Sequence, residues 1–468
     1  MDQSELHAVF LEFESDLFEI KPQGIPIWEW MRSGVYRELL IKKGIFNEAQ
    51  TSAEMNVSSY LKGGCLFLRN IVRRNPYFSG TSDFLFYGNP RRKLQSDGYW
   101  WDIYCDPIHS KCNLNYLQVE SNYKLKHYRP ARTENFAYLD FIHYTDFIKR
   151  QLGLVSVTLD AELKIALDTA AEEFKNQFGI EIDFVSKAEY HLQVRKSRRP
   201  LYMRLLSRID PELAVVICSY GKETFIECCK DQDIPVVELQ HGIIHEDHTG
   251  YSYPGNRIKE MFPDYLLTWG EFWGDRVEFP IPDKRVIPVG YPYLEQRRNK
   301  YADIASKDQI VVISQSSIGK ELSKFALEVE QHPHIDHDIV YKLHPGEYDY
   351  WEEEYPWLVD ADFEVIDSSE PPLYELFAGS NIQVGVYSTA IYEGMVFNLK
   401  TFVYDCPGVG TPDSLIEKGA AELISSTDEL VLGMSKENNT VDFEYFFESN
   451  ATEEICEVLS LLLNESHG

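Results

Sequence analysis

From residue 213 onward, short apolar runs alternate with helical stretches, and this alternation limits the possible folds more than any other feature. An apolar run at 213–218 ends in a Ser-Tyr-Gly turn, a predicted helix covers 222–231, and a second run covers 234–239. Continuous apolar runs are typical of strands that are buried on both faces of a parallel sheet. Strand, helix and strand in this order predict βαβ units and therefore an α/β fold.

The same pattern begins again after residues 297–307, a polar segment that we interpret as a linker. Further strands are predicted at 309–313, 339–343, 363–366, 382–386 and 400–404. We therefore predict two Rossmann-like, doubly wound domains facing a central cleft, because open α/β sheets bind ligands at the carboxyl ends of their strands.

The predicted domains have unequal lengths. Residues 1–300 form an N-terminal α/β domain that begins with a helical, aromatic extension, and residues 301–435 form the second domain. Residues 436–468 are predicted as helices that could cross back to the first domain. Within the extension, Trp28, Met31, Val35 and Leu39 recur at helical spacing, which predicts a core-facing helix stripe.

The charge of the chain excludes one class of function. Lys and Arg total 45 and Asp and Glu total 75, which gives a net charge of −30. So acidic a chain argues against general nucleic-acid binding through phosphate neutralisation. It favours a halophilic source, with an ordinary acidic enzyme as the alternative.

No apolar run approaches the roughly 20 residues of a membrane span, and no basic leader follows Met1, so we expect a cytoplasmic protein.

Two further groups of residues have alternative interpretations. Six basic residues between 195 and 208 form either a helix face paired with acidic neighbours or a docking site for an anionic acceptor or lipid headgroups. Arg91 to Lys93 follow a predicted strand and could meet a charged substrate. The eight cysteines contain no Cys-x-x-Cys pair, and we expect them to be reduced and structural.

The first candidate site residue is His241, in the Gln-His-Gly sequence that ends the apolar run at 236–239. A histidine just past a strand end, followed by a glycine, is a common way to present chemistry from an open sheet; the alternative is a buried loop histidine. The nearby stretch His245-Glu-Asp-His248 contains four possible metal ligands. Loop spacing gives them no fixed geometry, so we predict no metal site.

The second predicted domain has polar residues at several strand ends: Ser316, Ser317, Lys342, His344, Ser388 and Thr389. Two hydroxyls at a helix start, with free backbone N–H groups and the helix dipole, favour an anion and could form a phosphate site. Glu393 lies about one turn later and could accept hydrogen bonds from a ribose. The alternative is an ordinary N-cap with a glutamate on the helix face.

Five short motifs carry a resemblance to a known family. They are Gln240-His-Gly242, Trp269-Gly270, Val289-Gly-Tyr-Pro292, Lys342-Leu-His-Pro345 and Ser388-Thr-x-x-x-Glu393. In this order they resemble GT-B-fold glycosyltransferases of surface-polysaccharide assembly, and among them the capsule-type group of Kdo transferases, polysialyltransferases and CDP-glycerol glycerophosphotransferases. The resemblance covers about residues 210–410.

The resemblance implies roles for individual residues. His241 is similar to the family's base or acceptor-side contact. Independently of the resemblance, the position of Asp247 in the loop after His241 makes it a second candidate for the base. His344 and the Ser388–Thr389 pair resemble ligands of the donor phosphates. Ser316 and Ser317 are assigned to the same donor-binding set from their position after a predicted strand. Glu393 resembles a ribose contact. Lys342, two residues before His344, is expected on the same side, where either could neutralise the leaving group.

The implied activity is metal-independent transfer of a sugar from a nucleotide-activated donor to a glycan or lipid-linked acceptor. The first domain would be the acceptor side, and the second would bind the donor. The enzyme would act at the inner face of the membrane, by peripheral association. It would use no cofactor and no metal, and it would not bind nucleic acid. Two alternatives remain open. One is a nucleotide-sugar epimerase of the UDP-GlcNAc 2-epimerase type, and the other is a non-catalytic sugar-binding or scaffold subunit of a capsule complex.

Overall fold

The computed structural model of the chain describes residues 3–45, 57–255, 257–316, 318–406, 413–437 and 442–465. The chain divides into two compact units. The first unit comprises residues 7–44, 48–293 and 448–468, and the second consists mainly of Leu294–Phe447. Within the described ranges, no helix has both the length and the apolar composition needed to cross a bilayer.

Nine strands are described in the first unit: β1 (Phe84–Tyr87), β2 (Lys93–Leu94), β3 (Trp100–Trp101), β4 (Tyr116–Glu120), β5 (Phe136–Tyr138), β6 (Leu213–Ile217), β7 (Val236–Leu239), β8 (Tyr265–Thr268) and β9 (Val286–Pro288). Strands β2 and β3 form a separate antiparallel pair. The other seven form a parallel sheet in the order β5-β4-β1-β6-β7-β8-β9. Every residue of β6 and β7 is buried, as their continuous apolar sequences predict.

The described residues of the second unit contain six strands: β10 (Gln309–Ile313), β11 (Asp338–Lys342), β12 (Glu364–Ile366), β13 (Ile382–Gly385), β14 (Lys400–Tyr404) and β15 (Glu422–Ile424). They form one parallel sheet in the order β12-β11-β10-β13-β14-β15. Two parallel, Rossmann-like α/β sheets are therefore present, which confirms the predicted α/β class with two Rossmann-like domains.

The helices up to residue 300 are α1 (Gln3–Phe13), α2 (Ile27–Lys42), α3 (Val57–Val72), α4 (Asp106–Lys111), α5 (Asp140–Gln151), α6 (Ala161–Phe178), α7 (Phe184–Ile209), α8 (Glu223–Lys230), α9 (Phe272–Asp275) and α10 (Pro292–Lys300). The later helices are α11 (Gly319–Glu330), α12 (Trp351–Glu354), α13 (Leu373–Gly379), α14 (Thr389–Met395), α15 (Asp413–Glu417), α16 (Thr427–Met434), α17 (Phe443–Phe446) and α18 (Ala451–Glu465). Helix α10 occupies the start of the predicted linker, because Pro292 opens a run of good helix formers there.

Strand order reverses once in each sheet. In the first sheet the chain builds outward from β1 to β4 and β5, then returns to place β6 on the other side of β1. In the second sheet the same reversal separates β10 from β13. The carboxyl ends of strands at such a reversal form the usual ligand crevice of a doubly wound sheet. The segments after β1, β6, β10 and β13 are therefore the first places to look for a site.

Helix α2 confirms the predicted core stripe, since Trp28, Met31, Val35 and Leu39 are all buried. The same helix contributes a buried cation that the apolar spacing did not indicate. Arg32 pairs with Glu14 at 2.7 Å and donates to the backbone carbonyls of Thr249 and Ser252. This arginine therefore ties the N-terminal extension to the loop that follows His241.

The basic residues of α7 face acidic partners. Arg195 donates to Glu227, Arg198 to Asp146 and Arg199 to Asp231. The ion-paired interpretation of this segment is therefore correct for these three arginines. Lys196 and Arg208 are also occupied, by the backbone carbonyls of Ser156 and Tyr77.

Helix α18 belongs to the first unit, where Ile455 and Leu459 pack with Phe84 and Leu213 of its core. Its residue Cys456 forms a disulfide with Cys112, whose Cα lies 5.6 Å away. The expectation that every cysteine is reduced is therefore wrong for this pair. Their sequence separation of 344 hid a pairing that depends on the return of α18 to α4.

Candidate active site

His241 lies two residues after the end of β7 and is half-buried among tyrosines. Its Nδ1 is 3.2 Å from the Tyr251 hydroxyl, and its Nε2 is 3.1 Å from the Tyr220 hydroxyl. The hydroxyl of Tyr104 donates to the backbone carbonyl of His241 at 2.7 Å. Both ring nitrogens and the backbone are therefore held, which fixes the orientation of the imidazole.

The direction of these hydrogen bonds determines the tautomer of His241. Tyr251 donates its hydroxyl proton to Oε1 of Glu238 at 2.5 Å, so toward the imidazole its oxygen can only accept. Nδ1 of His241 therefore carries the ring proton. Nε2 keeps a lone pair, which accepts from Tyr220. An imidazole with an unprotonated Nε2 is the form that a general base requires.

Glu238 is fully buried beneath this histidine. Its Oε1 accepts from the backbone N–H of Ser219 at 3.0 Å as well as from Tyr251. Its Oε2 has no hydrogen-bond partner among the described residues. Burial raises the pKa of Glu238 above its usual value, against the opposing effect of those two hydrogen bonds. Oε1 can act as an acceptor whether the carboxyl is ionised or protonated on Oε2.

The pKa of His241 is lowered to about 3, mainly by burial and further by the positive charges of Lys222 and Arg91. The ring is therefore neutral at neutral pH. An anion bound nearby would favour the imidazolium and raise this pKa. The strength of His241 as a base thus depends on what is bound beside it.

The turn after β6 places Tyr220 against His241. Cys218 adopts a φ of 67°, which is uncommon for a residue other than glycine. The ammonium group of Lys222 donates to the carbonyls of Ile217 and Cys218 and so stabilises this turn. A side chain at Gly250 would place its Cβ 2.7 Å from Cδ1 of Tyr220, so the loop after His241 can pack here only with glycine.

Two adjacent arginines after β1 have different surroundings. Arg92 is buried and pairs with Glu120 at 2.7 Å and with Asp106 at 3.4 Å, so its role is structural. Arg91 is exposed, lies over the ring of Tyr123 and forms no ion pair with any described residue. Of the two, Arg91 is therefore the one available to an anionic ligand.

The loop between 242 and 251 holds the remaining candidates of this unit. Oδ1 of Asp247 lies 2.9 Å from Nδ1 of His7, so the structure directs this carboxylate to the N-terminal extension. Burial lowers the pKa of His248 to about 3, and its ring packs on Tyr251. Burial also lowers the pKa of His245. In the part of the chain that the structure describes, no cluster of His, Cys, Asp or Glu could hold a metal ion.

In the second unit, His344 lies on an exposed turn after β11. Its Nδ1 accepts from the backbone N–H of Gly346 at 3.0 Å and lies 3.3 Å from Oγ of Ser316. A backbone N–H can only donate, so the proton of the neutral ring lies on Nε2. Partial desolvation lowers the pKa of His344, against the raising effect of Glu347. The turn therefore presents a neutral N–H donor at Nε2.

Glu347 holds this turn together from below. Its Oε2 accepts from the backbone N–H of His344 at 2.7 Å. Its Oε1 accepts from the hydroxyls of Ser314 at 3.0 Å and Tyr355 at 2.9 Å. Gly319 leaves room for this arrangement, because a Cβ there would collide with Glu347 and Tyr355. One buried carboxylate thus positions the segments after both β10 and β11.

The predicted phosphate ligands are partly brought together. Ser316 contacts His344, whereas Ser317 lies outside the described residues. Oε1 of Gln315 accepts from the backbone N–H of Tyr387 at 3.3 Å, which ties the segment after β10 to the segment after β13. Ser388 then precedes α14 in an extended conformation and makes no capping hydrogen bond with its side chain. Thr389 is the first residue of α14 and is half-buried.

Lys342 does not lie on the same side as His344. Its ammonium group donates to the carbonyl of Ser368, beyond β12, while His344 turns toward Ser316, beyond β10. The alternation that would align them ends with the strand at Lys342 itself. Burial lowers the pKa of Lys342 to about 8, with Glu370 and Asp367 opposing the shift.

Glu393 lies in α14 and accepts a hydrogen bond from the Tyr374 hydroxyl of α13 at 3.0 Å. Its side chain is half-buried. Tyr374 in turn stacks on Phe397, with ring centroids 6.0 Å apart. The carboxylate is therefore oriented by an aromatic neighbour.

Sequence reasoning missed the residues that orient the two histidines, namely Glu238, Tyr220, Tyr251, Tyr104 and Glu347. Two of them carry a recognisable signal. Glu238 is the one carboxylate within the apolar run 236–239, and a charged residue in a buried strand requires hydrogen-bond partners. Tyr220 follows β6, the strand that pairs with β7, so strand order alone would bring it to His241.

No protein family model matches the chain, and no curated protein matches its sequence significantly. Solved structures resemble it at low identity. UDP-GlcNAc 2-epimerase from Methanocaldococcus jannaschii is 13% identical with a TM-score of 0.48, and the match covers 81% of this chain and 99% of that one. The wall teichoic acid polymerase TagF is 12% identical with a TM-score of 0.41, and the match covers 88% of this chain and 99% of that one.

A third similar structure is the spinosyn rhamnosyltransferase SpnG complexed with spinosyn aglycone. It is 13% identical with a TM-score of 0.38, and the match covers 82% of this chain and 96% of that one. Likenesses this weak assign neither a family nor a reaction to this chain.

Proposed function

We propose that the chain is a metal-independent glycosyltransferase that moves a sugar from a nucleotide-activated donor to a glycan or lipid-linked acceptor in surface-polysaccharide or glycoconjugate assembly. One observation carries the proposal. The two units hold neutral histidines in opposite tautomers: His241 keeps a lone pair on Nε2, while His344 presents an N–H at Nε2. Glycosyl transfer needs a proton acceptor for the acceptor hydroxyl and hydrogen-bond donors for the leaving phosphate.

On the acceptor side, the attacking hydroxyl of the acceptor replaces the Tyr220 hydroxyl as the hydrogen-bond partner of His241 Nε2. Nε2 then removes the proton of that hydroxyl. The imidazolium that forms donates from Nδ1 to Tyr251, which donates in turn to Glu238. The hydroxyl oxygen then forms a bond to the anomeric carbon as the bond from that carbon to the nucleotide phosphate breaks. We assign Asp247 to the support of the loop rather than to proton transfer, because His7 engages its carboxylate.

The low pKa of His241 fits a base that is activated by its substrates. Burial and the charges of Lys222 and Arg91 favour the neutral ring. An anionic substrate group bound near Arg91 offsets that charge and so strengthens the base. Proton removal is thereby coupled to substrate binding.

On the donor side, Nε2–H of His344 donates to an oxygen of the nucleotide phosphate, with the hydroxyls of Ser316, Ser388 and Thr389 as further ligands. Glu393, oriented by Tyr374, accepts from the ribose. Neutral donors aimed at the departing phosphate stabilise the charge that develops there without a metal ion. Ser317 is kept in the donor set, and Lys342 supports the loop after β12.

The first test is a thermal-shift panel of nucleoside mono- and diphosphates, because a ligand that binds the native state raises its stability by mass action. The stabilising nucleotide then identifies the donor class for a transfer assay. His241→Ala and His344→Ala are each expected to abolish nucleotide release that depends on an acceptor. Either variant retaining turnover near that of the wild type would contradict its assigned role.

Incubation of the donor without an acceptor separates transfer from the two alternatives. Transfer predicts intact donor in that sample and nucleotide release only after an acceptor is added. Epimerised donor would instead identify an epimerase. Binding of the nucleotide sugar without turnover, across a range of glycan and lipid-linked acceptors, would identify a non-catalytic subunit.

A further inference from the structure

A groove on the first unit carries an unusual concentration of positive charge. Its volume is about 660 Å³, and Arg74, Arg129 and Arg132 line it. This volume is within the range of about 300–1,000 Å³ that is common for ligand sites. Three arginines around one groove stand out in this chain, because its net charge is −30.

The three arginines are not neutralised. None of them lies within ion-pair distance of a carboxylate among the residues that the structure describes. Other arginines of this unit, such as Arg92 and Arg195, are paired with glutamates. Glu134 is the acidic residue in the groove lining, and its backbone carbonyl, not its carboxylate, accepts from Arg74.

The guanidinium groups are held in place by aromatic rings and hydrogen bonds. Arg74 lies 4.2 Å and Arg129 lies 4.8 Å from the centroid of the Phe136 ring. Arg74 also donates to the carbonyl of Phe136 at 3.1 Å, and Arg129 donates to the Tyr138 hydroxyl. A guanidinium stacked on a ring keeps N–H groups in its own plane for a further acceptor. Two of the three cations are therefore pre-oriented.

The groove is separate from the His241 site. It borders β5, the edge strand of the first sheet, whereas His241 follows β7. Strands β4, β1 and β6 lie between them. At a strand spacing of about 4.8 Å this places the two strands roughly 19 Å apart. A ligand in the groove would therefore not touch the proposed base.

We infer that this groove is a second anion site, which binds a diphosphate or another closely spaced pair of phosphate groups. Planar guanidinium forks match the geometry of phosphate oxygens, and three arginines without a carboxylate partner can engage two phosphate groups at once. The inference does not depend on the proposed transferase activity.

The phosphate groups could belong to a soluble molecule or to a lipid headgroup. A second observation supports the lipid headgroup, so the experiment below tests lipid vesicles separately. No acidic residue occurs between Met55 and Ser82, the segment that contains α3 and Arg74. Leu61, Leu68 and Val72 share one face of α3 and are 67%, 65% and 71% exposed. Apolar, acid-free surface beside a basic groove is compatible with an anionic bilayer.

The test uses the full chain and two probes, inorganic pyrophosphate by titration calorimetry and phosphatidylglycerol–phosphatidylcholine vesicles by co-sedimentation. The test variant is Arg129→Gln with Arg132→Gln. The control is Arg37→Gln with Arg298→Gln, which removes two exposed arginines elsewhere. Thermal unfolding of both variants verifies that each is folded.

We expect the test variant to bind at least one probe roughly tenfold more weakly than wild type, and the control to match wild type. Loss confined to pyrophosphate identifies a soluble phosphate ligand, and loss confined to vesicles identifies a lipid headgroup. Pyrophosphate bound elsewhere on the chain cancels in the comparison. Equal binding by wild type and test variant, or no binding of either probe to wild type, overturns the inference.

Discussion

The two histidines proposed for catalysis are built in contrasting ways. His241 lies half-buried, with tyrosine hydroxyls on both ring nitrogens and a buried carboxyl one step behind. His344 lies on an exposed turn, where a backbone N–H and Ser316 occupy one nitrogen only. The difference shows that side chains hold the histidine that is proposed to exchange a proton. A backbone N–H is the main support of the histidine that is proposed to bind phosphate.

The largest difference is expected in kinetics. His241→Asn should lower kcat by about 100- to 10,000-fold with little change in donor KM, because general-base catalysis is lost. His344→Asn should weaken donor and product-nucleotide binding as well. His334→Asn, on an exposed loop, is the matched control. Steady-state kinetics and nucleotide titration measure both effects; a His241 variant that changes only KM would erase the contrast.

A smaller difference is expected between the two buried carboxyls. Both oxygens of Glu347 accept hydrogen bonds, so Glu347→Gln must turn an amide NH2 toward a donor and should cost about 1–3 kcal/mol of unfolding free energy. Only Oε1 of Glu238 accepts, and Glu238→Gln can place its NH2 where Oε2 has no partner. Urea unfolding should show a loss below about 1 kcal/mol for Glu238→Gln. Equal losses would mean that the supports are equivalent.

The third contrast is in pH dependence. His241 and His248 have a pKa of about 3 in the folded chain, below the usual 6.5. The unfolded chain therefore binds more protons between these values, so both residues contribute stability above pH 6.5 that is lost progressively as the pH falls toward 3. Each contributes a slope of up to about 1.4 kcal/mol per pH unit.

His248→Gln should therefore flatten the fall in unfolding free energy between pH 7 and pH 4.5, as measured by urea unfolding at several pH values. His344→Gln should change the slope less, because His344 is exposed. The raised pKa values of Glu29 and Asp106, each about 7, act in the opposite direction but are common to all the variants. A steeper change in His344→Gln than in His248→Gln would reverse the ranking.

The smallest effect is expected at Tyr220. Its hydroxyl lies 3.1 Å from Nε2 of His241, and the acceptor hydroxyl replaces it in the proposed reaction. Tyr220→Phe should therefore change kcat by less than about tenfold, since no proton passes through the phenol. A loss as large as that of His241→Asn would show instead that Tyr220 relays the proton.

The sequence predicts the strands well because a buried parallel strand appears as a short, continuous apolar run. Residues 309–313 and 400–404 were predicted with the bounds that the structure shows, and 213–218 differs by one residue. The site was only partly predictable. His241 and His344 follow strands and could be found from that position, but their tautomers depend on Tyr251 and Gly346. The prediction that Lys342 and His344 share one side of the strand is wrong, because side chains alternate between the two faces only as far as the strand end at Lys342.

The return of α18 to the first unit has a consequence for synthesis of the chain. The core around Phe84, Leu213 and Val237 is covered in part by Ile455 and Leu459, which the ribosome supplies only after the whole of 294–447. The first unit thus begins first and finishes last. During that interval the apolar surface that α18 will cover stays exposed to solvent, so the second unit can complete its own fold before the first.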